Sequence, residues 1–311
     1  MLDVCRAHDL VDQPLAQRWL VDDLWADQAV GILGGEPKSC KSFLALDLVV
    51  SVAAGTPALR RFAVSRPGPV LLFAAEDALS VVRRRLDGIA AAAGVALSSL
   101  PIHVITSPTV RIDLDADRRR LAATVDALRP ALLVLDPFVR LHRIDENASA
   151  EVAPLLAFLR DLQRRFACPV LLVHHARKGA AHQRAGQALR GSSELHAWGD
   201  SNLYLRRDRD RLSLTTEHRA APGHRGLALE LRQAGDALAL HLAPPRTSEP
   251  DVVSSLHDRI EHTLAGAQTP LSRNQLRAAC KVRMATLTHA LAELVAARRI
   301  LKSGGAYTLT S

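Results

Sequence analysis

The segment from Val30 to Val52 constrains the fold of this chain more than any other. It runs from an apolar stretch through the sequence GEPKSCKS, residues 35–42, into a second apolar stretch with helical spacing. A strand, a loop and a helix in this order form a phosphate-binding loop when the loop follows the pattern G-x-x-x-x-G-K-[ST]. Gly35, Lys41 and Ser42 match that pattern, and Cys40 stands where the second glycine is expected. A chance match in an ordinary strand-to-helix turn is the alternative.

The chemistry of such a loop assigns a role to each of its residues. Backbone N–H groups and a helix N-terminus surround the phosphates, a lysine contacts the β- and γ-oxygens, and a hydroxyl binds Mg²⁺. Lys41 and Ser42 are the predicted lysine and hydroxyl. Cys40 can donate its N–H as glycine does, but its Cβ is expected to reduce affinity or rate if the position prefers a positive φ. The predicted nucleotide-binding residues are Gly35, Glu36, Pro37, Lys38, Ser39, Cys40, Lys41, Ser42 and, on a later strand, Asp136.

Apolar runs alternate with helical patterns over the next 140 residues. Strands are predicted at residues 30–33, 70–75, 102–105, 131–135 and 169–173, and helices at about 42–53, from 78 through 86, and at about 150–166. Continuous apolar strands separated by helices predict a mainly parallel sheet that is buried on both faces, an α/β fold. From Asn202 onward, four short alternating stretches predict antiparallel hairpins that extend this sheet.

Polar residues at the ends of the predicted strands are the candidates for catalysis. In parallel sheets of this kind the chemistry sits at the carboxyl ends of the strands. Asp136 is predicted to hold Mg²⁺, directly or through water, and Glu76 to polarise the attacking water. Asp77 competes for the second role, and both acids could instead cap the helix that follows. His174 and His175 could hydrogen-bond a γ-phosphate, with one of the two being structural.

A separate unit is predicted after a stretch rich in proline and polar residues. Residues 1–29 are expected to pack on the core formed by residues 30–242, with a linker at 243–251 and a small domain at 252–311. Three short helical patterns and a terminal hairpin predict a winged helix in this last part. Residues 251–311 carry eight Lys or Arg against four Asp or Glu. Arg273, Lys281, Arg283 and Lys302 would face DNA, unless the domain binds protein and its cations are only solvated.

Composition sets broader limits. The chain has 311 residues, 48% of them apolar, and a net charge of +8 that favours a polyanionic partner without proving one. The four cysteines are far apart and predict neither a disulfide framework nor a zinc site. Apolar stretches are too short to span a bilayer, and the N-terminus lacks the character of a signal peptide. A cytoplasmic protein without a membrane partner is therefore expected.

The ordered set of motifs resembles a known family. The stretches GEPKSCKSFLALDL, VLLFAAEDALSVVRRRL, LLVLDP with the later DEN, LLVHHARKG and ALRGSS are similar to those of RecA-like AAA-family ATPases of the plasmid replicative helicase RepA type, over about residues 15–240. The resemblance implies that Lys41 and Ser42 bind nucleotide and Mg²⁺, that Glu76 is the catalytic glutamate and Asp136 the Walker B acid, and that one histidine of the pair senses the γ-phosphate. It also implies a six-membered ring in which a neighbouring subunit supplies an arginine, for which the candidates are Arg190, Arg206 and Arg207. Cys40 and the added C-terminal domain depart from the family pattern.

The sequence thus predicts a Mg²⁺-dependent ATPase that forms a homo-hexamer and acts on DNA as a helicase or translocase in replication. Single-stranded DNA would pass through the ring, and duplex DNA could contact the winged helix. A DNA-binding regulator with slow, nucleotide-gated ATPase activity and no unwinding is the alternative. A small-molecule kinase on a P-loop fold fits less well, because no lid for an acceptor substrate is evident.

Overall fold

The computed structural model describes residues 4–9, 18–175, 193–208, 211–234, 237–244, 256–267, 269–280, 282–297 and 299–310. The chain divides into two compact units, Met1–Pro244 and Pro245–Ser311. This division falls within the stretch predicted as a linker, at residues 243–251.

The first unit is built on a nine-stranded sheet. Its strands, in chain order, are β3 (Val30–Gly35), β4 (Val70–Ala74), β5 (Ile102–Val104), β6 (Leu132–Asp136), β7 (Val170–His175), β8 (Ser201–Asp208), β9 (Arg211–His218), β10 (Leu227–Ala234) and β11 (Ala237–Leu242). They are ordered β11-β10-β9-β8-β3-β7-β6-β4-β5 across the sheet. Pairing is parallel from β8 to β5 and antiparallel from β8 to β11. The predicted α/β fold, with a mainly parallel sheet and antiparallel C-terminal strands, is confirmed.

Helices cover both faces of the sheet. They are α1 (Lys41–Ala54), α2 (Leu79–Ala92), α3 (Asp115–Leu128), α4 (Ser149–Phe166) and the short α5 (Ser193–Trp198). Apolar residues of α1 and α2 lie in one buried cluster, and those of α3 and α4 lie in a second cluster. Successive residues of one strand alternate between the two clusters, as Leu71 and Leu72 do, because side chains of a strand point to opposite faces.

The structure adds elements that the sequence patterns did not indicate. A two-stranded sheet of β1 (Trp19–Val21) and β2 (Trp25–Ala26) precedes β3, and Trp25 is buried in the first cluster. Helix α3 was not predicted. Its mostly polar sequence buries only Leu121 and Val125, so its apolar stripe is too narrow to stand out in a periodicity search.

The second unit contains three helices and a three-stranded antiparallel sheet. The helices are α6 (Leu256–Ala265), α7 (Arg273–Cys280) and α8 (Met284–Ala296), and the strands are β12 (Leu271–Ser272), β13 (Ile300–Ser303) and β14 (Ala306–Leu309). The strand order is β12-β14-β13. A separate apolar core joins the helices to the hairpin and includes Ile260, Leu276, Leu287, Leu291 and Tyr307. Three helices followed by a terminal hairpin are the elements that the sequence predicts for residues 252–311, and β12 is an addition.

None of the helices among the described residues combines the length and the apolar character that a membrane span requires.

Candidate functional site

The loop after β3 begins at a position that requires glycine. A Cβ on Gly35 would lie 2.4 Å from the carbonyl oxygen of Leu205 on β8 and 2.7 Å from the Ser39 hydroxyl oxygen. A Cβ closer than 3.0 Å to backbone atoms is not tolerated, so the close approach of β3 and β8 excludes a side chain here. The first glycine of the motif thus has a packing role.

The loop reaches helix α1 through two residues in the left-handed region. Lys38 has φ 64°, and Cys40, the N-cap of α1, has φ 64° and ψ 25°. A side chain in this conformation costs roughly 1 to 2 kcal/mol, which glycine avoids. The position of Cys40 therefore does prefer a positive φ, which is the condition under which its side chain is expected to reduce affinity or rate.

Lys41 lies at the start of α1 with its ammonium folded onto the loop. Its Nζ donates a hydrogen bond to the carbonyl oxygen of Glu36 at 2.8 Å, and the Ser39 hydroxyl donates to the same oxygen at 2.7 Å. Burial lowers the pKa of Lys41, against the opposing effect of the nearby Asp136 and Glu76 carboxylates. Helix α1 thus places a desolvated ammonium at the phosphate loop, and such a group favours an anionic partner.

Asp136 ends β6 and lies beside Ser42. Burial raises the pKa of the Asp136 carboxyl to about 6, although the hydrogen bond from the Ser42 hydroxyl acts to lower it. The residue does not cap the 3₁₀ turn that follows, whose N-cap is Pro137. A carboxylate and a hydroxyl oxygen in contact are the ligand types that Mg²⁺ prefers. The two residues predicted to bind the metal are brought together by the fold.

Glu76 follows β4 and faces a cavity of about 310 Å³. The cavity is lined by Glu76, Val139, Arg140, Glu146, His174 and His175. Glu76 Oε2 lies 3.9 Å from His175 Nε2, and its Oε1 lies 3.7 Å from Arg140 Nε. Its carboxylate is therefore directed to open space at the carboxyl edge of the sheet.

Asp77 points elsewhere. Both of its carboxylate oxygens accept hydrogen bonds from Arg85 on α2, and the Arg85 guanidinium also stacks 5.2 Å from the centre of the Phe43 ring. The N-cap of α2 is Ala78, and the first turn of that helix contains no acidic residue. Neither Glu76 nor Asp77 caps α2, so the capping alternative for this pair is wrong.

The two histidines differ in exposure. His174 is buried, 5.9 Å from the Phe138 ring in an edge-to-face arrangement, whereas the His175 side chain is 28% exposed. His175 pairs with Gly35 in the register of β3 and β7, which places it beside the phosphate loop. Of the pair, His175 has the better access to a ligand, and His174 has the setting of a structural residue.

The predicted arginines are only partly placed. Arg206 and Arg207 lie exposed at the end of β8, and Arg190 lies outside the described residues. Arg207 Nη2 donates to Cys40 Sγ of the same chain at 3.1 Å. This contact puts Arg207 against its own phosphate loop, an arrangement that the sequence could not indicate because the two residues are 167 positions apart.

Sequence reasoning missed two contributors to this region. Arg140 lines the cavity. It follows Asp136 by only four residues, and this closeness to a predicted strand end is the sequence signal that indicates it.

Asp47 of α1 is fully buried and accepts hydrogen bonds from Leu59 N at 2.7 Å and Arg60 Nη2 at 2.6 Å. Arg60 Nη1 in turn donates to the carbonyl oxygen of Leu240 on β11 at 2.6 Å. This network joins the loop helix to the antiparallel edge of the sheet.

Comparison with known proteins identifies the family. The family model described as AAA domain (AAA_25) matches residues 2–181, more than half of the chain. The chain belongs to this AAA domain family. Among solved structures, one ATPase domain superposes with a TM-score of 0.54 at 13% identity, and the match covers 70% of this chain and 86% of that one. The RadB recombinase gives a TM-score of 0.47 at 20% identity over 69% of this chain and 91% of that one.

The family match and the fold together show a RecA-like P-loop ATPase. In this ATPase, the phosphate loop after β3 and the acid at the end of β6 lie together at the carboxyl edge of the parallel strands. The predicted RecA-like fold and the assignment of the chain as an ATPase are confirmed.

Proposed function

We propose that this ATPase is a Mg²⁺-dependent, RepA-type ring ATPase that uses ATP hydrolysis to move along or unwind DNA, as a helicase or translocase in replication. The observation that carries the proposal is the meeting of Lys41, Ser42, Asp136 and Glu76 at one sheet edge. The fold shared with the solved ATPase domain supports the ATP-hydrolysing part of this function.

The residues at this edge suit in-line hydrolysis of the β–γ bond. Lys41 would contact the β- and γ-phosphate oxygens, and the loop from Gly35 to Ser42 would surround them with N–H groups. Ser42 and Asp136 would hold Mg²⁺, which when bound neutralises charge on the phosphates. Glu76 would accept a proton from the attacking water, and His175 would hydrogen-bond the γ-phosphate.

Assembly as a homo-hexamer with ATP at subunit interfaces is part of the proposal. Arg206 and Arg207 stay the candidates, together with Arg190, for an arginine that reaches a neighbour's nucleotide. Exposure of Arg206 at the end of β8 supports its availability to a second subunit. Single-stranded DNA would occupy the centre of the ring.

The second unit would be a winged helix attached through the linker at residues 243–251. Three short helices followed by the β13–β14 hairpin support this assignment, with α7 and α8 as the helix-turn-helix and Gly304-Gly305 at the tip of the wing. The regulator with slow turnover stays the second candidate, because Cys40 occupies a left-handed position in the phosphate loop.

One set of measurements separates these functions. Native mass is recorded with and without a non-hydrolysable ATP analogue and single-stranded DNA, and ATP turnover and strand displacement are assayed on the same sample. Nucleotide-dependent hexamers, turnover stimulated by single strands and strand displacement are expected. Unstimulated slow turnover without displacement would replace the helicase by the regulator.

A further inference from the structure

The described acids of the second unit lie on two of its helices, and its unpaired cations lie on other elements or before a helix. Its described acids, Asp258, Glu261 and Glu293, all lie on α6 or in the last turn of α8. Two of them have partners within the unit: Glu261 forms an ion pair with Arg299 at 2.6 Å, and Glu293 contacts two histidines, His257 at 2.9 Å and His289 at 3.2 Å. Both of these carboxylates therefore have partners of their own within the unit.

Four cations form what we call the basic strip: Arg273 and Arg277 of α7, Arg283 before α8, and Lys302 of β13. Arg277, Arg283 and Lys302 are exposed, and Arg273 is half-buried. Among the described residues, no side chain forms an ion pair with any of the four. Lys281, which was also predicted to face DNA, lies outside those residues. The strip therefore presents uncompensated positive charge.

The sheet register and the spacing along α7 relate the positions of these cations. Ser272 pairs with Ala306, and Ala306 pairs with Ser303, so Arg273 follows directly on the end of the sheet that carries the wing and Lys302. Arg277 lies one turn further along α7, on the same side as Arg273. Helix α7 is about 12 Å long at 1.5 Å per residue, and Arg283 follows its far end, before α8. Such spacing spans several phosphates of a duplex, which carries about one charge per 1.7 Å of its axis.

The helix that would enter a major groove is poor in residues that identify bases. Specific readout relies mostly on Arg, Lys, Asn, Gln, Asp or Glu at base edges. The sequence of α8, MATLTHALAELVA, has only Glu293 of these types, and Glu293 is engaged by two histidines at the far end of the helix. Its first two turns expose Thr286, Thr288 and His289. Positioning on phosphates is therefore favoured over sequence recognition.

We propose that the basic strip binds the phosphate backbone of duplex DNA without sequence specificity. The second unit would then anchor the ATPase on duplex next to the single strand on which it acts. This inference rests on the proposed action on DNA, and its test reads the two separately.

The test uses the full-length chain with Arg273, Arg277, Arg283 and Lys302 all changed to Ala. Its matched control changes the three arginines to Lys and keeps Lys302, which preserves the charge of the strip. Binding to two duplexes of equal length and unrelated sequence is measured by fluorescence anisotropy at several salt concentrations. ATP turnover with single-stranded DNA and thermal melting are measured on each protein.

The Ala variant is expected to lose affinity for both duplexes alike, and the slope of log K against log salt should become shallower by about 0.9 for each phosphate that the strip no longer binds. The Lys control should keep the wild-type slope, and stimulation of turnover by single strands should be unchanged in both variants.

Three results would count against these assignments. Unchanged duplex affinity and slope in the Ala variant would overturn the inference and leave an acidic protein as the partner of the strip. Affinities that differ more than about 1,000-fold between the two duplexes would overturn the lack of specificity. Absence of single-strand stimulation in the wild type would instead count against the proposed function.

Discussion

The two halves of the large sheet differ in what their residues do. The parallel half, strands β3 to β7, carries the loop lysine, Asp136, Glu76 and the histidine pair at or after its strand ends. The antiparallel half consists of β8, which is also parallel to β3, and of β9 to β11, and its described contribution to the site is the Arg207 contact with Cys40 at the end of β8. Parallel strands bring all their carboxyl ends to one edge, whereas antiparallel strands send alternate ends away from it. The candidate catalytic residues therefore lie at the ends of parallel strands, and the antiparallel half mainly supports the elements that carry them.

Lys41→Ala, in the parallel half, is expected to have the largest effect. Removing the ammonium should abolish hydrolysis, a loss beyond roughly 1,000-fold, and should weaken nucleotide binding, because charge on the β- and γ-phosphates is left without a buried cation. Turnover and binding of a fluorescent ATP analogue check both effects. Lys38→Ala removes the exposed lysine of the same loop and is the comparison, in which the loss of activity should be smaller than in Lys41→Ala. Near-normal turnover of Lys41→Ala would contradict the assignment of ATP hydrolysis to the parallel half.

Glu76→Gln addresses the choice between two neighbouring acids. The variant should still bind ATP but lose hydrolysis by about 100- to 10,000-fold, since the amide keeps the shape and cannot accept the proton. Asp77→Asn is the matched comparison, and because Asp77 is bound to Arg85 it should keep turnover. The opposite result, with Asp77→Asn inactive, would move the base to the other carboxylate.

Asp47→Asn examines how the antiparallel half supports the loop helix. Burial raises the pKa of Asp47 to about 6, against the lowering effect of Arg60 and Leu59 N. Because the folded pKa lies above the ordinary value, the folded state binds more protons than the unfolded state between about pH 4 and pH 6. The Asp47 contribution to stability is therefore fully present at the acid end of that window and is lost as the pH rises through it.

The variant cannot titrate at this position. Relative to wild type, its free energy of unfolding should rise by up to about 3 kcal/mol between pH 4 and pH 7. Urea unfolding of both proteins across this range measures the difference. A difference that does not change with pH would show that Asp47 is not held as a buried, uncharged group at low pH.

Cys40→Gly should have the smallest effect and tests the contact that joins the antiparallel half to the phosphate loop. Glycine relieves the left-handed conformation at φ 64°, so stability should rise by about 1 kcal/mol and activity should equal or exceed the wild type. Cys40→Ala removes the same contact but keeps a Cβ in the left-handed conformation, and it leaves Arg207 in place. A large loss of turnover in Cys40→Gly that Cys40→Ala reproduces would show that the contact itself supports activity.

The sequence by itself determined the fold class and most of the candidate site. Strand, loop and helix around residues 35–42, and acids placed directly after apolar strands, are local signals, because a strand end and a loop are encoded by neighbouring residues. The structure brings the acids at positions 76 and 136 to the loop as the rule for parallel sheets requires.

Only the tertiary structure decided which of several equivalent side chains faces the site. Asp77 differs from Glu76 because it is bound to Arg85 on α2, and His174 differs from His175 because it is buried. Arg207 lies against a loop 167 positions earlier in the chain. The network of Asp47 and Arg60 likewise depends on a backbone oxygen of β11. These outcomes depend on packing between elements that are distant in the chain, and packing of that kind leaves no periodic trace in the sequence.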